Sequence, residues 1–166
     1  MRMMEIGERL AARGFNCTRR TIQLWAQRGL ISAPSGKTSA AVWPEHVMLE
    51  IFAAAHMMSR GFHWLDVNTA RRALLKSALA GSDPSVIFET RPWKSMEKLL
   101  AHWLLGWGKE SLSLPVLENV SLECWTENGR IVFQPYTGPP PYPANVHPYP
   151  REFLVFRKSG QDQVEG

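Results

Sequence analysis

The chain has 166 residues, 45% of them hydrophobic and 20% charged, with a net charge of +4, enough for one ordinary domain or two small ones with modest cores. No apolar run approaches the ~18 residues that a membrane span requires, and the start MRMMEIGERL has charges spread through it in place of the apolar core of a secretory signal. Cys17 and Cys124 are far apart and neither sits in a CxxC or Cys/His cluster, which argues against a disulfide framework and predicts a soluble chain of the reducing cytoplasm.

The charge is uneven. Up to Ala80 eleven Lys/Arg face five Asp/Glu, a net +6, and beyond it eight face ten, a net −2. Concentrated positive charge suits a polyanion, because each neutralised phosphate releases condensed counterions; a basic surface that is merely solvated is the alternative. Between Met4 and Arg13, Ile6, Leu10 and Ala11 recur at helical spacing, and Gly14 stands where a left-handed C-terminal cap is favoured. Thr18 is a candidate N-cap for a second helix, whose buried face would be Ile22, Trp25 and Ala26 up to Gly29. SAPSGKTSAAVW, residues 32–43, reads as a loop or small hairpin, since Pro34 and Gly36 stop a helix. Pro44 opens a predicted third helix with Val47, Ile51, Phe52, Ala55 and Met58 as its apolar stripe. The fourth follows Gly61, with Val67, Ala70, Leu74 and Ala78 inward and Arg71, Arg72 and Lys76 outward.

Gly81-Ser82-Asp83-Pro84 is the predicted boundary between a first domain over 1–80 and a small α+β domain over 85–158, with a disordered tail over 159–166. In the second part, WKSMEKLLAHWLLGW predicts a fifth helix with a broad apolar face that must be covered. Its cover is either a second copy of the chain, through Trp93, Met96, Leu100, Trp103 and Trp107, or its own neighbouring hairpin. VSLECWTENGRIVFQPY predicts that hairpin, with Asn128-Gly129 as a type I′ turn. The register then sets Glu127 opposite Arg130, Thr126 opposite Ile131 and Cys124 opposite Phe133. PYTGPPPYPANVHPYP holds seven prolines in sixteen residues and must be extended; EFLVFRK follows as a last strand.

Helix, turn, helix, small loop and two further helices make a winged helix-turn-helix layout, in which a helix ~10–12 Å across enters the major groove of DNA. With Ile22, Trp25 and Ala26 buried, Arg19, Arg20, Thr21, Gln23, Leu24, Gln27 and Arg28 are left for contact. Arg pairs bidentately with guanine, Gln with adenine, and both arginines also suit phosphate. IGERLA, TRRTIQLWAQRGLI, WPEHVMLEIFAAAHMMSRGF and HWLDVNTARRALL resemble the MerR family of bacterial transcription regulators over about the first 80 residues. The resemblance implies a winged helix-turn-helix, Thr18 as a cap, Arg20, Thr21 and their neighbours on the DNA, a wing near Lys37, and a homodimer on a pseudo-palindromic site. Three departures stand out. Leu24 and Trp25 occupy positions where the family has two aromatics. Ala40, Ala41 and Val42 precede Trp43 where its wing carries an arginine, leaving Ser35, Lys37, Thr38 and Ser39 for the backbone. The family's long dimerisation helix has no counterpart but the Trp-rich segment.

His46, His56, His63, His102 and His147 are scattered, and no GxSxG elbow, Gly-rich phosphate loop or HExxH helix occurs. No catalytic residue, metal or cofactor is expected. Trp93, Trp103, Trp107 and Trp125 read as core, with a small-molecule effector cavity as the alternative. PPPY at 139–142 reads as a stiff connection in preference to a ligand for a proline-reading domain. The expected function is sequence-specific binding of double-stranded DNA by a dimeric transcription regulator, with the second half supplying dimerisation, a protein partner or an effector response. Two alternatives are an architectural, excisionase-like or replication-site factor of a mobile element, and a helix-turn-helix reused as a protein-interaction module.

Overall fold

The computed structural model describes residues 1–37, 40–77, 95–116, 118–128, 130–141 and 152–157, apart from the side chain of residue 77. Helix α1 (Met3–Ala12) opens with the Arg2 N–H donating to Glu5 Oε2 at 2.6 Å and buries Ile6 and Leu10. Helix α2 (Arg19–Gln27) opens where Thr18 Oγ1 accepts the Thr21 N–H at 3.2 Å, a cap worth about 1 kcal/mol. It closes when the Leu30 N–H reaches the Trp25 carbonyl at 2.9 Å across Gly29, whose φ is +74°. A side chain at Gly29 would also meet Asn68 Nδ2 at 2.6 Å, so this turn admits glycine for two separate reasons.

Helix α3 (Val47–Ser59) begins later than Pro44, which sits in the turn before it. A single apolar stripe was expected along it, but residues 50–57 are buried without a break, Glu50 and His56 included. Met58, placed in that stripe by its spacing, is exposed, and Met57 is fully buried in its stead. The cause is α5 (Ser95–Ser111), which packs along α3 and also against α4 (Trp64–Ser77). Small residues permit that approach: a Cβ on Gly106 would lie 2.5 Å from Ala53 Cα and 2.7 Å from His56 Cβ. Helix α4 buries Val67, Ala70 and Leu74 as its spacing predicts; Ala78 lies outside the described residues.

The Trp-rich helix, expected to be covered by a second chain or by the hairpin, is covered by α3 and α4 and, at Gly108, by the hairpin too. Leu100 and Trp103 are spent on the core of their own chain, Trp107 is half-buried, and Met96 is exposed. Trp93 lies outside the described residues, as does the boundary expected at residues 81–84. One continuous apolar cluster joins Ile6, Leu30 and Val47 to Leu104, Leu122 and Leu154.

Strands β1 (Leu122–Glu127) and β2 (Arg130–Pro135) form the expected antiparallel hairpin in the expected register, Glu127 opposite Arg130 and Cys124 opposite Phe133. Strand β3 (Leu154–Phe156) pairs with β1 in parallel, giving the order β2-β1-β3. Eighteen residues separate β2 from β3, long enough for the crossover a parallel pair demands. Leu122, Cys124, Phe133 and Leu154 face the helices, and Gly108 lets α5 come down on them, since a Cβ there would stand 2.5 Å from the Phe133 ring. The fold is therefore α+β, helices with a small mixed sheet. No helix among the described residues is long and apolar enough to cross a membrane.

Candidate nucleic-acid interface

The face of α2 opposite Ile22 and Trp25 is open. Arg19, Arg20, Gln23, Leu24, Gln27 and Arg28 are exposed, and Thr21 is half-buried with its hydroxyl 2.9 Å from that of Thr18. Thr18 thus serves the helix as its cap, and what it presents outward is the hydroxyl pair it forms with Thr21. Leu24 is the one apolar side chain on this face, and it is 37% exposed.

Beyond α2 the chain turns back on itself. Ser35 and Val42 exchange backbone hydrogen bonds of 2.9 and 2.8 Å, and Gly36, at φ +89°, starts the loop between them. Lys37 is exposed on that loop; Thr38 and Ser39 lie outside the described residues. Trp43 plugs the base of the loop into the core, and its backbone exchanges hydrogen bonds of 2.7 and 2.9 Å with Met1, beside the start of α1. Between α2 and the loop runs a cleft of about 690 Å³, with Arg19, Gln23 and Gln27 on one wall, Pro34 and Gly36 on the other and Arg2 and Met4 at its end. No local pattern places Arg2 and Met4 there, because α1 meets this cleft only through the fold.

A buried polar network holds the end of α2 from behind. Arg71 Nε donates to Glu50 Oε1 at 2.8 Å, and its other nitrogens reach the Gly29 carbonyl at 3.3 Å and Ser32 Oγ at 3.1 Å. Glu50, with no exposed surface, also accepts the Ser32 N–H at 2.6 Å. Asn68 Nδ2 donates to the Arg28 carbonyl at 2.7 Å, and the Arg28 guanidinium lies 4.9 Å from the centre of the Trp64 ring. The spacing of α4 sets Arg71 outward, but the structure turns it inward, because a helix side chain this long can fold back to a buried carboxylate. Arg72 and Lys76 are exposed.

The cations divide by pairing. Arg9, Arg13, Arg60, Arg71, Lys109 and Arg157 each face a carboxylate. Arg19, Arg20, Arg28 and Lys37 make no ion pair among the described residues, so their charge is not neutralised within the chain. Such a face attracts anions over a Debye length of about 8 Å at physiological salt. Elsewhere, burial pushes both the Cys17 and Cys124 thiols up, so neither is an activated thiolate. No group of three His, Cys, Asp or Glu side chains gathers among the described residues. No protein-family model, curated protein or solved structure matches the chain.

Proposed function

We propose that residues 1–77 act as a winged helix-turn-helix that binds double-stranded DNA, and that the protein is a transcription regulator of MerR-like type. The observation that carries this reading is the unpaired set Arg19, Arg20, Arg28 and Lys37 on α2 and the loop beside it. In this reading α2 lies in the major groove. Arg20, Gln23 and Gln27 meet base edges, and Leu24 contacts a thymine methyl. The Ser35–Val42 loop is the wing, and one sugar–phosphate strand runs in the cleft between wing and helix, flanked by Arg19, Lys37 and Arg2. Glu50, Arg71 and Asn68 fix the exit of α2 and so the angle at which it would enter the groove.

Selection of bound sequences from a random duplex pool, followed by titration of the winner at several salt concentrations, tests the proposal. Three phosphate contacts per bound chain, from Arg19, Lys37 and Arg2, give a slope of log K against log salt of about −2.7. An enriched inverted repeat bound by two copies supports the dimeric regulator. A second reading draws on the cover that α3 gives to Leu100 and Trp103, which leaves α5 with little apolar seam for a second copy. On that reading the protein coats phased direct repeats as an architectural factor of a mobile element. No enrichment, together with equal weak binding by wild type and Arg20→Ala, would sink both and leave the protein-interaction module.

A further inference from the structure

A second concave site lies where α3 ends. Arg60 and Phe62, in the turn to α4, form one wall of a cavity of about 350 Å³. Lys98 and His102, four residues apart and so on one face of α5, form the other, and Asn119 and Glu152 close it. The volume suits a compact metabolite. Its charges are unbalanced. Arg60 shares the single carboxylate of Glu152 with Lys109, which is fully buried beneath. Lys98 is exposed, 5.9 Å from the Phe62 ring centre, and makes no ion pair among the described residues. Glu118, which is exposed, favours the charged form of Lys109. His102 Nδ1 is buried with no hydrogen-bond partner. Burial first, and then the charges of Arg60, Lys98 and Lys109, push the His102 imidazole down to about 4, as a positive local field requires.

We propose that this cavity binds a small organic polyanion, its charge carried by carboxylates or by a phosphate. Lys98 and the guanidinium donors of Arg60 not engaged by Glu152 and Ser59 take the oxyanion. The Asn119 amide donates beside them, and the Phe62 ring covers the carbon skeleton. The site does not depend on the nucleic-acid reading.

Nuclear magnetic resonance of the His102 ring in the full chain tests it, with citrate, glycerol 3-phosphate and, at matched ionic strength, sodium chloride as probes. That signal is local, so anions gathered at the distinct α2 face do not imitate it. The expected result is a saturating shift with citrate, with glycerol 3-phosphate or with both, accompanied by a rise in the His102 pKa, as a bound anion demands. The dissociation constant should weaken at least tenfold in Lys98→Glu, an exposed position that does not threaten the fold, and stay unchanged in the control Lys76→Glu on α4. Which probe saturates names the carboxylate or the phosphate source. No saturation by either, the same shift with chloride, or equal affinity in Lys98→Glu overturns the proposal.

Discussion

Two groups of cations in this chain are made of the same residue types and put to opposite uses. Arg19, Arg20, Arg28 and Lys37 are exposed and unpaired along α2 and the loop beside it. Arg60, Arg71 and Lys109 are drawn inward, each onto a carboxylate that is itself almost wholly buried: Glu152 for two of them and Glu50 for the third. The first set contributes little to folding, and its charge is not neutralised by any carboxylate among the described residues. The second is tied to the fold, because removing one member of a buried pair strands the other in a medium of low polarity. A count of lysines and arginines is therefore a poor guide to binding surface; pairing and burial decide which cations are available.

The sharpest way to test that contrast is to remove the buried acid behind α2. Glu50→Ala leaves the Arg71 guanidinium and the Ser32 N–H without their acceptor and should cost about 3–5 kcal/mol. Denaturant unfolding reads the loss; if the variant still folds, the DNA affinity proposed for the chain should drop as well, since Arg71 loses the carboxylate that aims it at Gly29 and Ser32. A loss below about 1 kcal/mol would show that Arg71 finds solvent easily and that the network is not a brace.

The next effect is on pH. Burial dominates the lowering of His56 to about 2 and of His102 to about 4, with nearby cations adding to both. In the unfolded chain both return to about 6.5. Between pH 6.5 and 5 the unfolded state therefore binds protons that the folded state refuses, so the contribution of these two histidines is complete above pH 6.5 and is lost as pH falls. Each histidine contributes up to about 1.4 kcal/mol per pH unit. Unfolding midpoints across this range should show the slope, and His102→Phe, which cannot take a proton, should roughly halve it. A flat profile in the wild type would mean that His56 and His102 are hydrated in the fold.

What could be read from the sequence was local. The cap at Thr18, the glycine ends of α1 and α2, and the hairpin register all follow from residues within a few positions of one another, and each stands in the structure where the pattern set it. Helix α3 departs from its single predicted stripe because periodicity reports one covered face, and α3 is covered on nearly every side; its apolar residues then lose their period. The docking of α5 rests on Gly106 meeting Ala53, more than fifty positions away, and the parallel pairing of β3 on a partner 32 residues earlier. Neither leaves a mark in its own neighbourhood. For the candidate interface, the exposed face of α2 was legible, whereas Arg2, Met4 and the inward turn of Arg71 needed the fold.

The two smallest effects separate base reading from backbone contact within the exposed set. Arg20→Ala removes an unpaired, solvent-exposed side chain and should change stability by no more than about 0.5 kcal/mol. If Arg20 meets a guanine edge, binding to the selected site weakens by about 1–3 kcal/mol and the preference at one base pair relaxes. Lys37→Ala should do less and do it evenly. A phosphate contact from the Ser35–Val42 loop carries no base information, so specific and nonspecific duplexes lose affinity by the same factor, and the salt slope becomes shallower by about 0.9. The two variants are thus distinguished by pattern more than by size. Should Lys37→Ala alter the preferred sequence, the wing would be reading the minor groove, and the absence of an arginine between Ala40 and Trp43 would no longer limit its role to the backbone.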